Sequence, residues 1–335
     1  MKRTLGQLAF AAGLGVTIWL VLRLGFASVV HALAAIGVGG ILLLALAHAP
    51  TLVVLGAAWR AAARDAPGAS LWTFVWGRMM RDAGGELLPF SQVGGFALGA
   101  RAAALGGAPW VVAAASSLLD IFVEQAAKTP YTAASVALLM WLAPDSRLIP
   151  PALIIVALTA VVTGLLAVRR RWVRAKLETA AAALAQRLAQ RRPGQLRAGG
   201  APDPEETVAA AREALAPGAR LVLSAALHLT GWVMGAAEAW LAFRLLDARL
   251  DFAQAMVVDG LYMTGRIFVF AVPAAAGVQE AAYVVLAGLF HVPASTAIAF
   301  SLVRRARDLV IGAPALLVWQ LIEGGRLQRR RGART

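Results

Sequence analysis

The stretch Pro150–Val168 reads PPALIIVALTAVVTGLLAV, 19 residues without one charge. A membrane-spanning helix needs about 20 predominantly apolar residues, and this segment supplies them. Leu221–Leu246 does the same, with Glu238 and Arg244 held near its far end. Working outward, Leu5–Leu22 and Val38–Trp59 are equally clean, whereas Leu118–Leu142 and Leu302–Ile322 have the length but carry charge. Of the 335 residues 60% are hydrophobic and 15% charged, with mean hydropathy +0.70. Soluble domains lie nearer ~45–50% apolar and ~25% charged, and no globule of this size has the interior to hide the excess. The chain reads as an all-α polytopic membrane protein, one integral domain over residues 1–335 with six full spans.

The formal charge of +14 invites a nucleic-acid reading, which its placement excludes. Residues 169–220 hold 11 Lys/Arg against five acids, and Arg326, Arg329, Arg330, Arg331 and Arg334 crowd the C-terminal end. Lys2 and Arg3 precede the first span, while the outer connections hold little, Arg23 in one and Asp145 and Arg147 in another. Six crossings put every basic cluster on one face, the cytoplasmic one by the positive-inside rule. Both termini and the 169–220 loop are therefore expected on the cytoplasmic side of a bacterial inner membrane. In that loop Leu177, Ala181, Leu184 and Leu188 recur at helical spacing opposite Arg187, Gln190 and Arg191, as in an amphipathic surface helix. A second short helix is expected from Asp203, with Glu205 and Glu206 in its first turn.

The N-terminal run Leu5–Leu22, 18 residues long, exceeds the ~7–15 of a signal-peptide core and is read as a retained span. Cysteine is absent, which excludes disulfides, thiolate metal sites and cysteine nucleophiles. His31, His48, His228 and His291 never fall at metal-ligating spacing, so they read as packing or interfacial residues. No metal and no cofactor are expected. The lack of a Walker motif argues against ATP-driven pumping by this chain alone.

Two further apolar stretches, Ser70–Pro109 and Asp251–Pro293, are broken by Pro and Gly, which suits re-entrant helices buried in protein. They match at a constant offset of 184 residues: Pro89 and Pro109 fall on Pro273 and Pro293, Leu105 on Leu289, Ala113 on Ala297, Ser117 on Ser301, and Glu124 on Asp308. The same offset lays Val38–Trp59 onto Val222–Phe243. The repeat units are then about 38–142 and 222–326, each a span, a broken segment and a charged span. One crossing separates them, so an inverted repeat is expected, with a site near the midplane where the units meet.

Two constellations stand out. The first is the pair of breaks. In ELLPFSQVGGFALGAR, Glu86–Arg101, Pro89 frees a carbonyl, Gly94 and Gly95 permit close backbone approach, and Gln92 and Arg101 add polarity. Its counterpart runs from Pro273 through Gly277 to Gln279 and Glu280, preceded by Arg266. There the acid opens a helix, where exposed N–H groups favour it. Deep in an apolar stretch, Glu280 is expected protonated, paired with Arg304 or Arg266, or capping that helix.

The second constellation is Asp120, Glu124, Gln125 and Lys128 in one charged span, and Arg304, Arg305, Arg307 and Asp308 in its mate. Arg304 and Asp308 stand at i,i+4 and are read as a pair. Glu124, Asp308 and Arg304 are expected in a buried network able to hold a lipid phosphate, whereas Lys128 and Arg305 are expected to snorkel to headgroups. Gly95/Gly99 and Gly231/Gly235 are read as helix-packing devices. Trp59, Trp141, Trp240 and Trp319 are read as interfacial anchors.

The stretches LLPFSQVGGFALGAR and VPAAAGVQEAAY resemble the paired proline-glycine motifs of the flippase-like transmembrane domain of lysylphosphatidylglycerol synthases. Within that family the chain is most similar to the hopanoid-biosynthesis-associated HpnL proteins, GVQEAAY…SLVRRARDL being the most specific part. The resemblance covers nearly the whole chain. It implies an acid where this chain has Phe96, while Glu280 matches. The chain ends soon after its last span, so lysyl transfer is not expected and the chain is not read as an enzyme. The resemblance implies a bacterial inner-membrane lipid translocase or lipid-binding transporter, for a hopanoid or a modified phospholipid. Its partners would be membrane lipids with a polar or charged headgroup. The alternative is an accessory protein that organises lipid-biosynthesis enzymes through its cytoplasmic loop.

Overall fold

The computed structural model describes residues 26–66, 68–87, 91–168, 218–266 and 277–332, with a few positions between 172 and 209. Nine helices are formed by these residues: α1 Phe26–Ala62, α2 Leu71–Leu87, α3 Ser91–Leu105, α4 Trp110–Leu142, α5 Ile149–Val168, α6 Gly218–Leu245, α7 Phe252–Gly265, α8 Val278–Gly288 and α9 Ala294–Gly332. The expected span Leu5–Leu22 and both loop helices fall outside the described residues, as do Pro89 and Pro273.

The protein is an all-α membrane protein. Among the described residues Ile36–Ala62 of α1, all of α4 and all of α6 are long and apolar enough to cross a bilayer, with mean hydropathies 2.2, 1.3 and 1.3. Helix α5 shows Leu153, Ile154, Leu158, Val161, Val162 and Leu165 on its surface, a face that only lipid can solvate without penalty. The expected span Leu302–Ile322 lies inside α9, which begins earlier, at Ala294. Helix α1 is kinked at Gly37 (φ 60°, ψ −178°), a conformation open to glycine and strained for other residues.

The two broken segments each form a helix, a break and a helix: α2 and α3, then α7 and α8. Helices α2 and α3 touch backbone to backbone. A Cβ on Gly95 would stand 2.5 Å from the Arg81 carbonyl oxygen, and one on Gly99 2.8 Å from that of Gly77. Small residues here allow the approach that packing in a membrane requires.

Helix boundaries recur at the spacing of 184: α4 begins at Trp110 and α9 at Ala294, and their internal prolines are Pro130 and Pro314. Packing recurs too. Helices α1 and α6 lie against each other, α4 crosses to α6 and α7, and α9 crosses to α1 and α2. The Trp59 indole N–H donates to Ser116 Oγ at 2.9 Å, and the equivalent pair, Phe243 and Phe300, stacks at 4.0 Å. Trp59 is thus no interfacial anchor. It is fully buried, because Ser116 satisfies its one polar group and Phe74 packs edge-on at 5.4 Å.

At the start of α6, Arg220 donates to Asp65 (3.1 Å) in the α1–α2 loop. The hydrogen bond from Arg60, with the charge of Arg220, holds the Asp65 carboxyl below the usual carboxylate range. At the other end of α6, Leu246 joins Ala248, Leu250 and Val292 in a separate core. The 28 residues of α6 extend about 42 Å at ~1.5 Å each. Asp65 and Arg249, equivalent at the 184-residue offset, therefore lie at opposite ends of that helix.

Candidate functional site

Helical spacing aims three sets of charges inward. Arg78, Arg81, Asp82 and Glu86 share a face of α2; Asp120, Glu124 and Lys128 share one of α4; Arg304, Arg307 and Asp308 share one of α9. These faces converge with α1, α6 and α7 on a cavity of about 230 Å³. One water needs only ~10–15 Å³ by such a measure, so a headgroup fragment fits. A charge buried this deep is tolerable only when paired and hydrogen-bonded, and most of the pairs join different helices.

Arg78 reaches Asp82 at 2.9 Å and both oxygens of Glu124 at 3.2 and 3.3 Å. Arg81 holds Asp120 at 2.8 Å and also bonds Glu124. Asp120 in turn meets His228 Nε2 at 2.8 Å, both side chains being fully buried. The other unit builds the same kind of chain: Arg307 bonds Glu238, and Glu238 meets His48 Nδ1 at 2.8 Å. Arg307 also reaches Asp308 at 2.6 Å. Arg304 pairs with Asp259 of α7 at 2.5 Å, and Arg266 with Glu86 at 2.5 Å, joining the ends of α7 and α2.

Beside the cavity, Gly277 takes φ 75° and opens α8. Its N–H donates to Glu280 Oε2 at 2.9 Å. Ser301 Oγ and Arg305 Nε each donate to Glu280 Oε1 at 2.9 Å. Gln279 lines the cavity, accepting from the Tyr262 hydroxyl at 2.8 Å and donating to Ser301 Oγ at 2.9 Å.

Of the residues singled out from sequence, Glu124, Arg266, Gln279, Arg304 and Asp308 line the cavity; Asp120 stands behind it, bonded to the lining Arg81, and Glu280 is one step further back, linked to the lining Gln279 through Ser301. Several expected pairings differ. Arg304 takes its carboxylate from Asp259 of α7 rather than from Asp308, whose Oδ1 is engaged by Arg307. Glu280 is capping, as one expectation had it, and its cation is Arg305 rather than Arg304 or Arg266. Arg305 does not snorkel, since Glu280 lies within its reach. Lys128 does not snorkel either; it lines the cavity over the Trp232 ring at 4.6 Å. Arg101 sits away from the cavity, bonded to Glu323. The side chain of Gln92 is outside the described residues. Gly94 and Gly95 lie in α3, with Phe96 following them on the cavity wall, its ring 4.3 Å under the Arg81 guanidinium. At the 184-residue offset Phe96 corresponds to Glu280.

Arg78, Arg81, Asp82 and Glu86 on α2, Asp259 on α7, and the carboxylate-bound His48 and His228 were not anticipated. The signal was present: four charges on one helical face of an apolar segment, and an acid within the second broken segment. Each is expected to face the protein interior.

Fold and site define a class, the all-α membrane proteins with a charge-lined cavity between packed helices. Within it the family is specific: the model of the lysylphosphatidylglycerol synthase TM region matches residues 6–315, and the chain belongs to that family. The membership ties it to membrane lipids. No curated protein and no solved structure matches the chain.

Proposed function

We propose that this protein moves a lipid headgroup between leaflets, or binds it on the way, and that it is not an enzyme. The observation that supports this most is the charge-lined cavity at the meeting of the two units. A headgroup needs such polar surroundings, while its acyl or ring portion stays in the lipid beside the helices. The recurrence of helix ends and prolines at 184 residues, with Asp65 and Arg249 at opposite ends of α6, supports an inverted repeat, which gives a transporter two related gates. We place the protein in a bacterial inner membrane with both termini cytoplasmic, from the basic clusters. Similarity to the HpnL subgroup favours a hopanoid intermediate or a modified phospholipid as cargo.

The test is leaflet exchange in proteoliposomes carrying a fluorescent lipid, bleached from outside by an impermeant reductant. Vesicles with the protein are expected to lose signal beyond the outer-leaflet share, faster than protein-free vesicles. Traces that match those of protein-free vesicles for hopanoid, phosphatidylglycerol and aminoacylated lipids alike would favour an accessory role instead.

A further inference from the structure

We propose that Lys128 is the anion-binding residue of the cavity and takes the phosphodiester of a lipid headgroup. This deepens the translocase reading and rests on it for the identity of the cavity. The five arginines lining the cavity all have carboxylate partners: Arg78, Arg81, Arg266, Arg304 and Arg307. Lys128 has none among the described residues. Its helical neighbour Glu124, one turn earlier, has both oxygens occupied by Arg78 and Arg81. What holds the ammonium is an aromatic face, Trp232 at 4.6 Å, and a cation–π contact leaves its hydrogen-bonding capacity open.

Position excludes the ordinary escape. Lys128 stands in the middle of the 33-residue α4, about 27 Å along from its start at ~1.5 Å per residue. Four methylenes cannot carry its charge to a headgroup layer from there. At the 184-residue offset the second unit has Gly312, so no equivalent cation repeats it in the other half. A half-buried ammonium facing the cavity with open donors recruits an anionic oxygen, and a phosphodiester offers two. The indole beside it suits a charge attached to apolar chains better than a free, fully hydrated ion. Free phosphate shares the chemistry and is the occupant to distinguish.

The experiment uses the full chain purified in detergent and a fluorescent phosphatidylglycerol followed by anisotropy. Unlabelled phosphatidylglycerol, diacylglycerol and inorganic phosphate serve as competitors. Phosphatidylglycerol is expected to displace the probe at least about tenfold better than the other two. Lys128→Gln and Lys128→Met should weaken binding about tenfold or more, the usual scale for a charge-assisted bond, while Lys128→Arg stays within about threefold. As a measurement independent of how the variants fold, a headgroup-diazirine phosphatidylglycerol should label the wild type in the peptides holding Lys128 or Trp232. The proposal is overturned if both neutral variants bind as the wild type does, or if diacylglycerol competes equally. Equal competition by inorganic phosphate, or labelling confined to other peptides, overturns it as well. Lysine-dependent binding without leaflet exchange would sink the translocase reading alone; exchange with unaltered binding in Lys128→Gln would sink this one alone.

Discussion

Asp120 serves two partners at once, accepting from Arg81 at 2.8 Å and meeting His228 at 2.8 Å, with no exposure of its own. Removing it strips a buried histidine of its one hydrogen-bond partner among the described residues and leaves Arg81 with Glu124 as its carboxylate. Asp120→Ala is expected to destabilise by about 3–5 kcal/mol, the range for breaking a buried ion pair from one side. Asp308→Ala should lower stability far less, because Asp308 is 24% exposed and Arg307 keeps Glu238. Thermal unfolding of both variants in one detergent checks the order; a larger loss for Asp308→Ala would refute it. Glu280→Gln should fall between them. The amide oxygen can still accept from the Gly277 N–H, but the ion pair with Arg305, itself 26% exposed, is lost. At this scale the sequence showed which residues are charged and which faces they share. It did not show who pairs with whom, because the partners of Arg304 and Arg81 come from helices 45 and 39 residues away. Spacing along one helix, the basis for joining Arg304 to Asp308, is blind to that choice.

Helices α2 and α3 show how glycine sets the position of a charge. Gly95 and Gly99 bring α3 onto the backbone around Arg81, and so fix where that guanidinium enters the cavity. Gly99→Leu forces side-chain atoms to within 2.7 Å of Arg81 Cβ and should lower both thermal stability and the yield of monodisperse protein. Gly164→Leu makes the same chemical change on α5, where nothing lies within 4 Å. It should be neutral or mildly stabilising, since leucine is the better helix former by roughly 0.8–1 kcal/mol. Comparable losses from both substitutions, by size-exclusion profile and melting temperature, would refute this reading of the hairpin. The helices themselves were legible: clean apolar runs became α5 and α6, and Pro/Gly interruptions became paired short helices. Trp59 was misplaced because a tryptophan near the end of an apolar run looks the same whether its indole meets water or Ser116.

For the whole molecule, the proposed inversion makes a topological prediction that the absence of cysteine renders clean to test. Single cysteines at Asp65 and Arg249, equivalent at the 184-residue offset, should label from opposite faces of the membrane. Position 65 should share a face with positions 195 and 333, the cytoplasmic one. An impermeant maleimide applied to spheroplasts should then reach 249 alone; equal labelling at 65 and 249 would end the inverted arrangement. The 184-residue offset was legible because prolines and acids recur where an apolar composition makes other matches cheap, and the starts of α4 and α9 follow it. A site between the two halves was expected from that offset; which charges wall the cavity was not legible, since they come from helices far apart in the chain.

Glu86 and Arg266 close α2 and α7 just before each chain breaks, and they hold the two hairpins to one another. Drawing the hairpins apart strands a carboxylate and a guanidinium in surroundings too poor in water to console either. Under the translocase reading proposed above, a guest that brings charges of its own would replace what the parted ends lose, and so carry the key itself.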